Sequence, residues 1–224
     1  MGLQFQGNTG VIAEVDGTTF RAVRTTPRPV EFGALGSYRV GATSGTMAAA
    51  LGANSEIFQF RWPDATRLAL VHRVTISAGV NVAATAAALL SFRLTAARSW
   101  TVAGSGGTRL TLTTNNGKLR TSMGTTLVND AGIATTGALT AGTKTLDATD
   151  LSNVSYGIGT GALTASVALD IIPDTVLFSQ DDTVGYPLVL ALNEGFVIRS
   201  GLVGPLTMTW AFSVNVHWTE VTTY

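Results

Sequence analysis

Cysteine is absent from this sequence. Disulfide frameworks, thiol nucleophiles and zinc–thiolate sites are excluded together, and the chain suits folding in a reducing cytoplasm. Charge is scarce as well: 14 Lys and Arg face 14 Asp and Glu, 12% of the residues, for a formal net charge of zero. Phosphate neutralisation needs a surplus of cations, so nucleic acid is not an expected partner. Histidine occurs only at His72 and His217, with no HExxH or HxH spacing, which is too few for a ligand set; no metal and no cofactor is expected.

Long apolar runs are also missing, with one near exception. From Val74 to Phe92 no residue is charged, a stretch long enough to span a bilayer as a helix. Thr75, Ser77, Gly79, Asn81 and Thr85 interrupt it, and both flanks continue as alternating strand, so two strands are expected and no membrane. The N-terminal MGLQFQGNTGVIAEVDG has neither a basic nor an apolar signal region, and no secretory signal is expected in it.

What is present is alternation. In Leu206–Val221, LTMTWAFSVNVHWTEV, the residues Leu206, Met208, Trp210, Phe212, Val214, Val216 and Trp218 share one parity. Thr207, Thr209, Ala211, Ser213, Asn215, His217 and Thr219 share the other. Successive strand side chains point to opposite faces, so this is a strand with one apolar and one polar face. Its length, about 43 Å at ~3.3 Å per residue, predicts a strand that bends between sheets or runs onto a neighbour. Two of the chain's four tryptophans lie on its apolar face, and a core is expected around them.

Further runs alternate at Phe58–Trp62, Leu68–Ile76 (Leu68, Leu70, His72, Val74 and Ile76 on one parity), Leu90–Trp100, Val167–Ile171, Leu188–Leu192 and Phe196–Ile198. Pro63–Asp64, Gly104–Gly107, Asn115–Asn116–Gly117, Pro173–Asp174 and Asn193–Glu194–Gly195 punctuate them as turns. The Thr-, Ala- and Gly-rich stretch Thr121–Thr149 reads as long loops or shallow strands. The sole helical candidate is the short Ala83–Leu90. The fold expected is all-β: a sandwich of jelly-roll type, with a closed barrel as the alternative.

Residues 1–50 read as an extended N-terminal arm, and 51–224 as the sandwich domain. Thr25–Thr26–Pro27–Arg28–Pro29 must be extended, because each proline fixes φ and disfavours helix at the residue before it. The arm lies across its own domain or on a neighbouring subunit. A mean hydropathy of +0.31 with so few charges describes an exterior partly covered by copies of itself or by a host particle.

Candidate chemistry is thin. Asp147/Asp150 and Asp181–Asp182 are close carboxylate pairs of the kind a glycosidase uses, but no aromatic groove accompanies them. Gly104–Ser105–Gly106–Gly107 lacks the GK[ST] of a phosphate loop and the frame of a nucleophile elbow. All four tryptophans fall in strand patterns and read as core. No enzymatic activity is expected.

Several phrases read together carry a resemblance: SYRVGATSGTMAAALGANSEIFQFRWPDATRLALVHRVTISAG, FRLTAARSW, GSGGTRLTLTTNNGKLRTSMGTTLV, GALTAGTKTLDA, LALNEGFVIRS and VNVHWTEV. Over residues 36–221 the chain resembles structural (virion) proteins encoded in the morphogenesis regions of tailed bacteriophages and prophages, a family that brings no assigned active site. The resemblance implies a virion component assembled in the bacterial host cytoplasm, most simply a head decoration (cement) protein, and alternatively a tail, baseplate or fibre-attachment component. It implies self-association, as a trimer, and contact with the major capsid protein or other virion proteins. The arm residues Arg21, Arg24, Pro27, Arg28 and Pro29 are the candidate partner-binding set.

Overall fold

A computed structural model describes residues 36–112, 117–159 and 171–224. Among them the strands are β1 (Ser37–Thr43), β2 (Glu56–Trp62), β3 (Leu68–Val82), β4 (Ala88–Val102), β5 (Thr108–Arg109), β6 (Asp130–Ile133), β7 (Thr143–Leu146), β8 (Ser152–Ile158), β9 (Ile171–Ser179), β10 (Leu188–Leu190), β11 (Glu194–Ser200) and β12 (Thr209–Val221). A single 3-10 turn, Gln180–Thr183, is the one helical element among the described residues. None of their helices is long and apolar enough to cross a membrane. Ala83–Leu90 leads into β4 and forms no helix.

The strand pairing is nested. β1 pairs with β12, β2 with β11, β3 with β9 and β10, and β4 with β7 and β8, all antiparallel. The chain is thus one long hairpin whose successive limbs alternate between two sheets. The first sheet runs β1-β12-β3-β10 with β9 also on β3; the second runs β5-β6-β2-β11-β4-β7 with β8 also on β4. A hairpin rolled in this way, and closed by β12 on β3 and β11 on β4, is a jelly-roll sandwich. The two open-edged sheets replace the closed barrel considered above.

Aromatic side chains tie the sheets together. Phe60 of β2 stacks on Phe196 of β11 at 5.1 Å and meets Trp218 of β12 edge-on at 5.2 Å. Phe92 of β4 lies 5.7 Å from Trp210 of β12. All four tryptophans are buried, as their strand positions required. Each inward position of β12 from Trp210 to Trp218 is buried, while Leu206, outside the strand, is exposed.

Two expectations change. The final strand neither bends between sheets nor leaves the domain: all thirteen of its residues pair along the fifteen of β3, from Val221↔Leu68 to Thr209↔Val82. The expected arm boundary at residue 50 also moves. Ser37–Thr43 pairs residue for residue with Thr219–Ser213 of β12, and Tyr38, Met47 and Leu51 are buried in the core. The glycines around SYRVGAT hid a strand whose inward positions are only Tyr38, Val40 and Ala42. Residues 1–35, which include Arg21, Arg24, Pro27, Arg28 and Pro29, lie outside the described residues.

Candidate functional site

The outer face of the first sheet collects the polar parity of β12. Its geometry turns on a bulge in β3: His217 is opposite Arg73 and Trp218 opposite Val71, leaving His72 as an extra residue. A bulge of this kind flips the side-chain alternation of the strand that carries it. Below it Ala69 and Val71 join the core; above it Val74, Ile76, Ala78 and Val80 do. His72, expected among the apolar parity, is therefore moved to the polar face, 5.3 Å from the ring of His217.

The two imidazoles are held by neutral partners. His72 Nδ1 bonds the side-chain oxygen of Gln180, and its Nε2 lies 2.7 Å from Thr219 Oγ1. His217 Nε2 lies 3.1 Å from Ser37 Oγ. Both pKa values are depressed. Burial is the main cause at each; for His217 the charges of His72 and Arg39 add to it, and for His72 the Gln180 bond works against it. Among the described residues no group of three His, Cys, Asp or Glu assembles that could hold a metal.

Cross-strand register arranges this face in rows. Arg39, His217 and Arg73 are successive partners across β1, β12 and β3, and Gly41, Asn215 and Thr75 form the next row. A pocket of about 300 Å³ opens here, lined by both arginines and His217, by Asn215 and Thr75, and by Asp174 and Leu119.

The carboxylate pairs fare differently. Asp147 and Asp150 lie in the connection between β7 and β8 of the second sheet, each taken by guanidinium groups: Asp147 by Arg98 at 3.4 Å, Asp150 by Arg199 at 2.8 Å and Arg93 at 3.6 Å. Partial burial alone would raise the Asp150 pKa. Bonds from Thr95 and Arg199 and the two nearby positive charges outweigh it, and the carboxyl sits below its usual range. Asp181 and Asp182 are exposed in the 3-10 turn. Gly104–Gly107 is a structural turn: a Cβ at Gly104 would lie 2.1 Å from the Thr140 carbonyl oxygen, and one at Gly107 2.2 Å from that of Ile133.

Two features escaped the sequence reading. Glu220 is buried, accepting bonds from Thr126 Oγ1, the Leu127 amide at 3.1 Å and Trp218 Nε1 at 3.3 Å. Its signal was a carboxylate on the apolar parity of β12. The other is the tip after the 3-10 turn. Val184 is fully exposed and left-handed (φ 57°, ψ 37°), where a glycine would ordinarily cap the turn. Tyr186 follows, also exposed, edge-on to Tyr224 at 5.5 Å.

No protein-family model matches the chain, and no curated protein matches it. Among solved structures the chain is similar to Merkel cell polyomavirus VP1, determined in complex with disialyllactose, at 11% identity and a TM-score of 0.33, over 87% of this chain and 98% of that one.

Proposed function

We propose that the chain is a virion structural protein of a tailed bacteriophage, a head decoration protein that docks on the shell between capsomers. The observation that carries this reading is the Val184 tip. A β-branched residue costs free energy in the left-handed region, and a fully exposed valine contributes nothing to the fold in return. Strain retained on an exposed apolar residue marks a contact made outside the chain. Leu202, Val203 and Leu206, between β11 and β12, add a second exposed apolar group. A sparsely charged exterior and the resemblance of residues 36–221 to phage structural proteins support the same reading.

A decoration protein gains avidity by presenting several copies of one weak contact, which fits a self-associated, trimeric state engaging the major capsid protein. The tail alternative drew on a final strand that pairs beyond its own domain; β12 instead has β1 on one side and β3 on the other, which weighs against it. A carbohydrate-binding module would want exposed aromatics in its loops; all four tryptophans are buried, and among the described residues Tyr186 and Tyr224 are the exposed aromatics.

The test is the copy number in purified virions, by quantitative mass spectrometry against the major capsid protein. Hundreds of copies are expected. A few to a few dozen would place the protein on the tail, portal or vertices, and its absence would overturn the structural role.

A further inference from the structure

We propose that the outer face of the β1–β12–β3 sheet binds a single carboxylate, the acidic side chain of a partner protein, held between Arg39 and Arg73 over His217. The register puts both guanidinium-bearing residues in one row with the imidazole between them. Strands spaced ~4.8 Å apart set their backbones about 10 Å apart, a separation that two flexible arginines close from either side onto one carboxylate.

Two like charges in one row of a sheet repel unless an anion lies between them. Elsewhere in the described structure Arg61, Arg93, Arg98, Arg109 and Arg199 each have a carboxylate partner, while the separate Arg67 and Arg120 have none among the described residues. Arg39 and Arg73 have none among the described residues, although they share a pocket.

The lining specifies the charge of the guest. Arg39 and Arg73 contribute two positive charges and Asp174 one negative, a sum of +1 with both imidazoles neutral. One carboxylate neutralises it, whereas a phosphate dianion would overshoot. The floor is polar and uncharged: Asn215 Nδ2 donates to Thr75 Oγ1 at 3.5 Å, and a Cβ on Gly41 would lie 2.9 Å from Asn215 Oδ1, so the absence of a side chain there keeps the floor open. Ser37 can donate to His217 Nε2, leaving Nδ1–H as a donor for the guest.

The size and setting favour a side chain presented by a protein surface. About 300 Å³ on an open sheet face is at the lower limit for a free small ligand, which must be enclosed on most sides, but it fits one acidic side chain. The exposed Leu119 beside it offers apolar contact to that side chain's neighbours.

The experiment is a titration of the full-length protein at pH 7, following the His217 ring signals by NMR, with N-acetyl-glutamate methylamide as the probe. We expect a saturable shift, none with the glutamine counterpart, and a higher His217 pKa in the complex. Arg39→Gln and Arg73→Gln, both at exposed positions that leave the core intact, should each weaken binding roughly tenfold. Equal response to the glutamine probe, undiminished binding by both variants, or tighter binding of inorganic phosphate would each overturn the site.

Discussion

Glu220 is a carboxylate that β12 turns inward, and its ionisation is coupled to the fold. Burial raises its pKa above the ordinary 4.5; the Thr126, Leu127 and Trp218 donors and the charge of Arg67 hold that rise back. A carboxyl whose folded pKa lies above its unfolded one contributes stability that is complete below the unfolded pKa and is lost as pH rises through the folded value. The Glu220→Gln variant should therefore lack a loss of stability that the parent shows as pH climbs from about 4.5; urea unfolding of both across pH 4–8 reads the difference. The same carboxylate, after burial, helps to push the neighbouring Tyr38 hydroxyl up to about 12. Toward the other end of β12 the core is apolar. Trp210, buried against Phe92 and Phe212, should cost about 3–5 kcal/mol when replaced by Ala. An unchanged denaturation midpoint would contradict its place in the core.

Among the elements, β12 was legible because its alternation holds from Trp210 to Trp218 and its partners reinforce it. β3 was only half legible. One inserted residue, His72, reverses the parity that follows, and no pattern within the strand announces it, since the bulge is fixed by the opposing strand. β8 escaped because it is an edge strand with a polar exposed face, and β1 because only three of its positions face the core. The row Arg39–His217–Arg73 could not be read at all: it depends on the register of strands far apart in sequence. The turn after β9 is another case where local preference and structure disagree. There the left-handed Val184 predicts that Val184→Gly will raise stability by about 1 kcal/mol, seen as an upward shift of a few degrees in the melting temperature. If the tip is a docking contact, the same variant will bind phage heads more weakly despite being more stable. A variant that melts higher and binds as well as the parent would confine Val184 to the fold and remove the principal support for docking.

At the scale of the molecule, the nested pairing places the first described strand and the last side by side, since β1 is the partner of β12. The buried core described here is made by Tyr38 and the residues after it. Removal of residues 1–35 is therefore expected to leave the sandwich folded, with its near-ultraviolet circular dichroism and its cooperative melt retained. If Arg21, Arg24, Pro27, Arg28 and Pro29 belong to an arm that reaches a neighbour, the same truncation will lower the oligomeric state in sedimentation or weaken association with heads. Avidity makes the second effect the larger one, because losing one subunit contact lowers the number of sites that engage together. Normal oligomerisation and head binding by the truncated chain would sink the arm, whereas loss of the cooperative melt would show that the first 35 residues complete the fold.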